Sequence, residues 1–128
     1  MLFIKFIGKV TNNFPKKTYF CLINLYIMKI TIVSGARPNF MKIAPITRAI
    51  KAAQEAGKKI SYRLIYTGRQ DDTSLDASLF SDLDMKKPDG YLGVSGHDQS
   101  EVTAAIMLAF EKELNTHPAQ VVLVVDDL

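Results

Sequence analysis

Three short apolar runs rich in β-branched residues divide the chain, and segments long enough for helices separate them. The runs are KITIV (29–33), YRLIYTG (62–68) and VVLVV (121–125). Runs of this length and composition are typical of buried strands. A connection between parallel strands needs a dozen or more residues, and the intervening segments provide them. The order β-α-β-α-α-β therefore predicts a three-layer α/β domain, with a Rossmann-like parallel sheet between layers of helices.

The intervening segments carry helical signals. The first begins near Pro38, which suits a first helical turn, and ends at Gly57. The last begins at Asp98 with Glu101 three residues later, a capping-box-like start. The predicted apolar stripes are Met41, Ala44, Ile46, Ala49, Ile50 and Ala53, then Leu75, Leu79 and Leu83, then Val102, Ile106, Ala109, Phe110 and Leu114. Residues 88–96, with three glycines, predict a loop, and Met41, Met85 and Met107 are interpreted as packing residues.

Basic charge is concentrated in residues 1–27, which carry four lysines and no acidic residue. Residues 28–128 hold twelve basic and thirteen acidic side chains, so the formal net charge of +3 arises from the N-terminal segment. A nucleic-acid partner for the rest of the chain therefore receives no support. The single cysteine, Cys21, cannot form an internal disulfide, which favours a reducing, cytoplasmic location.

The composition of residues 1–27 also differs from that of the remaining chain. Phe, Ile, Lys, Asn and Tyr occupy 17 of these positions but only 24 of residues 28–128. We predict a spurious or dispensable leader, with Met28 as the natural start. A signal peptide is the alternative, although no small-residue cleavage site follows the apolar run YFCLINLYIM and Lys29 interrupts it. The run is too short to span a bilayer, so no membrane partner is expected.

Ligands of open α/β sheets bind beyond the carboxyl ends of the strands, where three segments of this chain converge. The segments are residues 34–42, residues 67–72 and Asp126-Asp127. Adjacent residues at a strand end alternate in direction, so one of the two final aspartates could face a cleft. Simple strand termination explains the same pair. Asp71-Asp72 are interpreted as a helix cap.

The glycine turn after the first strand has the features of an anion site. Gly35 lets backbone amides approach a ligand, and the helix that begins near Pro38 points its positive end in the same direction. Arg37 is a planar cation suited to phosphate, and Lys42 follows about one turn later. The alternatives are a surface ion pair for Arg37 and a solvated helix face for Lys42. The turn lacks GxGxxG spacing, so no nicotinamide or flavin cofactor is expected.

The two histidines, His97 and His117, have no metal-ligating neighbour at a useful spacing. Tetrahedral metal sites need several ligands at characteristic intervals, so no metal site is predicted. Both histidines are interpreted as surface residues.

The stretch GARPNFMKIAPI resembles the opening motif of the non-hydrolysing bacterial UDP-N-acetylglucosamine 2-epimerases, a strand followed by G-[TA]-R-P-[EN]-x-x-K-x-A-P. Every fixed position is present, namely Gly35, Arg37, Pro38, Lys42, Ala44 and Pro45. The likeness continues through YTGRQ, LFSDLDMKKPDGYLGV, SEVTAAIMLAFEKEL and PAQVVLVVDD. It covers about residues 28–128.

The resemblance implies that residues 28–128 are a truncated N-terminal Rossmann-like domain of a two-domain, GT-B-like fold that holds a UDP-sugar between its domains. The family interconverts UDP-GlcNAc and UDP-ManNAc without a cofactor. UDP is eliminated to leave a 2-acetamidoglucal, and it is re-added after the proton returns to C2 on the other face. Cytoplasmic synthesis of polysaccharide precursors and a homodimeric full-length enzyme are the corresponding expectations.

By motif position, the resemblance assigns substrate binding to Gly35, Arg37, Pro38 and Lys42, with Arg37 at the UDP phosphate. Lys42 would lie near the sugar and the leaving group and share in catalysis with Asp127, the counterpart of the family's catalytic-site aspartate. A diphosphate leaving group accumulates negative charge, which cations and helix dipoles stabilise.

Three departures from the family pattern qualify these expectations. Arg69-Gln70 stand where the family usually has Gln-His, and Asp126 replaces the glycine before the last aspartate. Full-length members are about three times longer than the matched region, so the chain alone is expected to be inactive. The alternatives are a hydrolysing epimerase or GT-B glycosyltransferase of the same fold, or a non-catalytic nucleotide- or phosphate-binding α/β module.

Overall fold

One five-stranded sheet organises the described part of the chain, residues 2–6 and 27–125 of a computed structural model. Its strands are β1 (Leu2–Phe6), β2 (Met28–Ser34), β3 (Ile60–Tyr66), β4 (Gly90–Tyr91) and β5 (Val121–Val125). The helices are α1 (Arg37–Glu55), α2 (Ala77–Asp82) and α3 (Gln99–Thr116). The spatial order of the strands is β1-β5-β2-β3-β4.

Four of the strands are parallel. β2 has β3 on one side and β5 on the other, and the two-residue strand β4 pairs with the outer edge of β3. When the four parallel strands are numbered 1 to 4 in chain order, their spatial order is 3-2-1-4 (β4-β3-β2-β5), as in Rossmann-like sheets. The predicted α/β class is confirmed. β1 pairs with the outer edge of β5 in the antiparallel sense, from Leu2 opposite Val125 to Phe6 opposite Val121.

The main core lies between the sheet and helices α1 and α2. Phe40 on α1 is completely buried, and its ring contacts the rings of Tyr66 and Phe80 at centroid distances of 5.9 Å and 5.3 Å. The buried cluster comprises Ile32, Phe40, Ile43, Ile50, Leu64, Tyr66, Leu79, Phe80, Leu123 and Val125. Burial of each large side chain of this kind contributes roughly 1.5–3 kcal/mol, so this cluster stabilises the α1 face of the sheet.

The third layer lies on the opposite face of the sheet. Side chains alternate along a strand, so Arg63 points away from the face that carries Leu64. Arg63 forms an ion pair of 2.8 Å with Glu113 of α3, which places that helix over the second face. No residue of α3 is fully buried, and its predicted stripe is half-buried. This face is therefore packed less tightly than the α1 face.

The predicted apolar stripe of α1 was right in part, because Ala44 and Ile50 are buried and Ile46 packs against the core. It was wrong at Met41, which is 60% exposed, and at Ala49, which is also exposed, and it omitted four buried positions. The buried residues of α1 are Asn39, Phe40, Ile43, Ala44, Thr47 and Ile50. These positions follow the spacing of three and four residues that one helix face requires. The packing role predicted for Met107 was also wrong, because this side chain is 68% exposed, whereas Met85 packs against the core.

The helix boundaries were predicted more closely. α1 follows Ala36, and the chain leaves it at Gly57, which has φ +85°. Asp98 caps α3 by accepting a hydrogen bond from the Ser100 N–H, and Glu101 lies in the first turn. The loop predicted for residues 88–96 contains β4, because the amides of Asp89 and Leu92 donate to backbone carbonyls of β3. Among the described residues, no helix combines the length and hydropathy needed to cross a bilayer.

Candidate functional site

The loops that follow β2 and β3 meet at the carboxyl edge of the sheet. The Thr67 N–H donates to the Ser34 carbonyl at 3.0 Å, so the two strand ends are held side by side. The glycine turn begins with Gly35, which is exposed. A Cβ added at Gly35 would meet the Thr67 hydroxyl oxygen at 3.7 Å and the Asn39 Oδ1 at 3.9 Å, which are ordinary contacts. The fold itself therefore does not require glycine at this position.

Helix α1 opens at this edge without a capping side chain. Its N-cap residue, Ala36, has an extended backbone and offers no hydrogen-bonding side chain, and the first turn contains no acidic residue. Arg37 and Pro38 are both exposed in that first turn. A helix N-terminus carries roughly half a unit of positive charge, and Arg37 adds a full unit beside it. The charge and exposure of this turn favour binding of an anion.

The positive charge of Arg37 acts electrostatically on the residue that caps the next helix, α2. Asp76 is the N-cap of α2, and its side chain accepts a hydrogen bond from the Ser78 N–H. The Ser78 hydrogen bonds lower the pKa of the exposed Asp76 carboxyl, and the Arg37 guanidinium contributes a smaller lowering. The N-termini of α1 and α2 are thus electrostatically connected through Arg37.

Lys42 lies one turn further along α1, where it is exposed. Each helical residue rotates the side-chain direction by about 100°, so Lys42 shares a face with Pro38 rather than with Arg37. The two cations therefore occupy different directions around the helix start. Asp126 and Asp127 lie outside the described residues. The roles predicted for Gly35, Arg37, Pro38, Lys42 and Asp127 remain predictions.

Asn39 was overlooked in the interpretation of the sequence. Its side chain is 6% exposed, and its amide uses both of its polar atoms. Oδ1 accepts from the Gly35 N–H at 3.3 Å, and Nδ2 donates to the Val125 carbonyl at 2.9 Å. This one side chain therefore joins the glycine turn, the first turn of α1 and the end of β5. The available signal was an amide in helical phase with buried Ile43 and Ile50.

The loop after β3 is held by Tyr66. Its hydroxyl donates to Asp72 Oδ2 at 2.6 Å, and its ring lies against Phe40 and Tyr91. Burial raises the pKa of Tyr66 to about 12, with a further contribution from the hydrogen bond to Asp72. The same bond lowers the pKa of Asp72, together with hydrogen bonds from Ser74.

The helix-cap role predicted for Asp71-Asp72 was wrong. Asp72 Oδ1 accepts from the Ser74 N–H at 2.9 Å and so closes a loop turn, whereas the cap of α2 is Asp76. Asp71 instead pairs with Arg69 at 2.7 Å, and both side chains are more than half exposed. An exposed pair of this kind contributes little to stability, on the order of 0–1 kcal/mol.

An open cavity of about 510 Å³ lies at the carboxyl ends of β3 and β4. It is lined by Arg69, Gln70, Asp71, Tyr91 and Gly93. Arg69-Gln70 is the pair that departs from the family pattern. The arginine thus lies on the same sheet edge as the glycine turn, with its guanidinium paired to the Asp71 carboxylate.

The histidines lie apart from this edge. His117 follows the C-terminus of α3, where its Nδ1 lies 3.2 Å from Glu113, and His97 is exposed in the loop before α3. Within residues 2–6 and 27–125, no group of three His, Cys, Asp or Glu side chains could hold a metal ion.

The order of the parallel strands, the helices on both faces and the open α1 N-terminus define a Rossmann-like α/β domain. A comparison with models of protein families finds no match. The chain is 28% identical over 100 residues to the UDP-N-acetylglucosamine 2-epimerase of Methanocaldococcus jannaschii, covering 78% of this chain and 26% of that protein. It is 29% identical over 100 residues to the UDP-2,3-diacetamido-2,3-dideoxy-D-glucuronate 2-epimerase of Pseudomonas aeruginosa, with 78% and 27% covered.

Solved structures give the same result. The chain matches the Methanocaldococcus jannaschii UDP-GlcNAc 2-epimerase, crystallised with UDP-GlcNAc and UDP, with a TM-score of 0.64, 28% identity and coverage of 79% and 26%. A UDP-N-acetylglucosamine 2-epimerase structure from Listeria monocytogenes matches with a TM-score of 0.60, 19% identity and coverage of 73% and 23%, which supports the fold alone. The predicted resemblance to UDP-N-acetylglucosamine 2-epimerases is confirmed. The chain spans about a quarter of the length of these relatives.

Proposed function

We propose that the chain is part of an enzyme that interconverts UDP-GlcNAc and UDP-ManNAc by eliminating UDP and adding it back. The observation that carries this proposal is the open N-terminus of α1, with exposed Arg37, at the carboxyl edge of the sheet. The likeness to UDP-GlcNAc 2-epimerases names the ligand that such an anion site would hold.

The proposed chemistry depends on stabilising the departing nucleotide. Cleavage of the sugar–phosphate bond leaves negative charge on the diphosphate of UDP. Arg37 and the amides of the α1 N-terminus would stabilise that charge, and a fixed dipole does so without reorganising during the reaction. At Gly35, the missing side chain leaves space that the free fold does not need, which fits close approach of a phosphate.

Lys42 and Asp127 would act at the sugar. In the proposed reaction the proton at C2 is removed as UDP leaves, and a proton returns on the opposite face before UDP is re-added. A carboxylate such as Asp127 can transfer a proton when its pKa lies near the working pH. Lys42 would bind near the leaving group, one turn inside α1.

We further propose that this chain alone binds UDP but does not turn over substrate. The described residues form one Rossmann-like unit, which would supply one wall of a cleft between two domains. Incubation of the purified chain with UDP-GlcNAc, followed by NMR of the C2 proton, should show no UDP-ManNAc. Formation of epimer at the rate of an intact epimerase would contradict this part of the proposal.

The binding proposal can be tested with isotopically labelled chain and UDP. Addition of UDP should shift the amide resonances of Gly35, Ala36 and Arg37 in a saturable way, and pyrophosphate should compete. Arg37→Ala should weaken binding about tenfold or more, because a bidentate cation at the phosphate is lost. Arg48→Ala is the matched control, since Arg48 is an exposed arginine further along α1. Equal binding by both variants would exclude Arg37 from the site.

A second substrate deserves the same test. The relative from Pseudomonas aeruginosa is named for a UDP-diacetamido-glucuronate, and its identity to this chain is as high as that of the UDP-GlcNAc enzymes. A uronate carries an additional carboxylate, which could replace the Asp71 carboxylate on the exposed guanidinium of Arg69 in the neighbouring cavity. Tighter binding of the uronate, lost in Arg69→Ala, would favour this substrate over UDP-GlcNAc.

The alternative functions, the cellular location and the oligomeric state each have a separate test. Product analysis of an intact homologue would distinguish the epimerase from a hydrolysing epimerase or a glycosyltransferase of the same fold, because these enzymes release different products. A non-catalytic nucleotide-binding module would bind UDP with full affinity as this chain alone, whereas one wall of a two-domain cleft should bind UDP more weakly than an intact epimerase does. We propose cytoplasmic synthesis of polysaccharide precursors and a homodimeric full-length enzyme, which fractionation and sedimentation of that enzyme would test.

A further inference from the structure

The α3 face of the sheet carries a block of four polar side chains at the amino ends of β2 and β3. Lys29 and Thr31 belong to β2, and their partners in register on β3 are Ser61 and Arg63. Arg63 faces α3 through its ion pair with Glu113, and the other three share its face because side chains alternate along a strand. Parallel strands that are covered on both faces are normally apolar throughout. Packing of the sheet alone therefore does not explain this block.

A cavity of about 250 Å³ lies over the block, at the opposite edge of the sheet from the glycine turn. Its floor is the start of β2 and β3, and its wall is the segment between α3 and β5, residues 116–119. The Gln120 side chain accepts from the Lys29 N–H at 2.6 Å, and the Gln120 N–H donates to the Lys29 carbonyl at 3.0 Å. These two bonds hold the wall against β2, so the cavity is formed before any ligand binds.

The hydroxyl of Thr31 is the unusual group in this cavity. Thr31 is 2% exposed and lines the cavity, and its hydroxyl has no hydrogen-bond partner among the described residues. The other buried polar side chains of that part of the chain, Ser34, Asn39 and Thr47, each donate to a backbone carbonyl. No fully enclosed polar side-chain atom there lacks a partner, so the Thr31 oxygen keeps its small exposed area toward the cavity. A ligand that bonds to this hydroxyl would relieve an unfavourable burial.

The lining of the cavity is basic. It includes Lys29, Arg63 and His117 and no acidic side chain. The Glu113 carboxylate is held by two of these groups, at 2.8 Å from Arg63 and 3.2 Å from the His117 Nδ1. No carboxylate within residues 2–6 and 27–125 pairs with Lys29, which is exposed. The C-terminus of α3 contributes roughly half a negative charge at this edge, which is less than the full positive charge of Lys29.

We propose that this cavity binds a small oxyanion, with the Lys29 ammonium and the Thr31 hydroxyl as its principal donors. Cations and hydroxyls together are the donors that phosphate and carboxylate oxygens accept. Two residues along a strand span roughly 7 Å, so the long lysine side chain can reach an anion bonded to Thr31. The volume is below the roughly 300–1,000 Å³ of sites for drug-sized ligands, so the ligand is an inorganic anion or a short organic acid.

Inorganic phosphate is the probe for this site, added to the isotopically labelled 128-residue chain at pH 7. The amide resonances of Thr31, Ser61 and His117 should shift in a saturable way, independently of those of Gly35 and Arg37. Ionic strength is held constant with sodium chloride, because salt screens exposed charges. Sodium acetate is titrated in the same way, and the tighter of the two anions distinguishes a phosphate ligand from a carboxylate ligand.

Two variants test the proposed donors separately. Thr31→Val removes the hydroxyl but keeps a β-branched side chain in the strand, and it should weaken binding of the tighter anion at least threefold. Lys29→Met removes an exposed charge without altering the core, and it should weaken binding at least fivefold. Lys51→Met is the matched control, since Lys51 is an exposed lysine of α1, and its affinity should equal that of the unmodified chain.

The result can separate this inference from the proposed function, on which it does not rest. Shifts that rise linearly with both anions, or equal affinity in Thr31→Val, Lys29→Met and the control, would overturn the inference. Lys29 would then only offset the negative end of α3. Shifts confined to Gly35 and Arg37 would also overturn it, while supporting the anion site at the glycine turn. Saturation at Thr31 by phosphate, with no response of Gly35 and Arg37 to UDP, would support the inference and contradict the proposed function.

Discussion

The Tyr66 hydroxyl and the Asp72 carboxylate are joined by a hydrogen bond of 2.6 Å that closes the loop after β3. The tyrosine ring is buried in the core, whereas the aspartate is half-buried in the loop. The bond therefore ties the loop after β3 to the buried core. Because Thr67 also bonds to Ser34, the tie extends to the glycine turn on the neighbouring strand.

Tyr66 should make the chain sensitive to alkaline pH. Its pKa is raised by burial to about 12 in the folded chain, compared with 10.0 ordinarily. A group whose folded pKa is raised contributes stability that is complete below the unfolded value and is lost as pH rises through the folded value. Unfolding by urea should therefore become progressively easier between pH 10 and pH 12.

The Tyr66→Phe variant supplies the comparison for this pH dependence. It keeps the ring but removes the ionisable hydroxyl, so its stability should fall less steeply above pH 10 than that of the unmodified chain. Some slope should remain because burial also raises the pKa of Tyr62. Identical pH profiles for the two proteins between pH 9 and pH 11.5 would show that Tyr66 does not titrate as its burial requires.

Phe40 should be the side chain on which the α1 packing depends most. It is fully buried and lies between the rings of Tyr66 and Phe80. Phe40→Ala should lower the free energy of unfolding by about 3–5 kcal/mol, because the site loses transfer free energy and retains a cavity. Met41→Ala is the matched control, since Met41 is 60% exposed, and its effect should stay within about 0.5 kcal/mol. Similar losses in urea denaturation would contradict the observed phase of α1.

The contrast between these neighbours shows what could be predicted from the sequence. Strand runs, caps and the glycine turn are local signals, and they predicted β2, β3, β5 and the start of α3, but neither β1 nor the two-residue β4. The phase of α1 depends on which of Phe40 and Met41 faces the sheet, and several apolar residues in that helix allow both choices. The pattern predicted the helix and the burial of Ala44 and Ile50, but not which residue of its first turns faces the sheet.

The candidate site was also predictable only in part from the sequence. Gly35, Arg37 and Lys42 were recognisable because they form one contiguous motif. The link from Asn39 to Val125 joins residues 86 positions apart, so only the folded chain brings them together. The cap predicted for Asp72 failed for a related reason. Its partner is a buried tyrosine hydroxyl, and local spacing gives no sign of that bond.

Gly35 and Gly68, the glycines that follow β2 and β3, should respond differently to alanine. A Cβ at Gly68 would lie 2.5 Å from the Tyr66 ring, whereas a Cβ at Gly35 would meet nothing closer than 3.7 Å outside its chain neighbours. Gly68→Ala should therefore destabilise the chain by about 1–3 kcal/mol through overpacking. Gly35→Ala should leave the thermal midpoint nearly unchanged.

Measuring both UDP affinity and stability distinguishes a glycine required for folding from a glycine required for ligand binding. Under the proposed function, Gly35→Ala should weaken UDP binding severalfold while the chain remains as stable as before, because the methyl group occupies the space that a phosphate approaches. Calorimetric titration and thermal denaturation of the same samples provide both quantities. Loss of stability in Gly35→Ala, with UDP affinity unaffected, would reverse the roles assigned to the two glycines.

The N-terminal segment gives the last prediction, because β1 covers the outer edge of β5. An unpaired edge strand exposes backbone donors and acceptors and promotes association between molecules. The buried cluster described for the domain is contributed by residues 32–125, so a chain that begins at Met28 should still fold. In that chain the β5 amides that face β1 should exchange with solvent at least tenfold faster, and the β3 amides should be unaffected. Unchanged exchange in β5 would show that β1 does not protect this edge, and unfolding of the shortened chain would show that residues 1–27 are not dispensable.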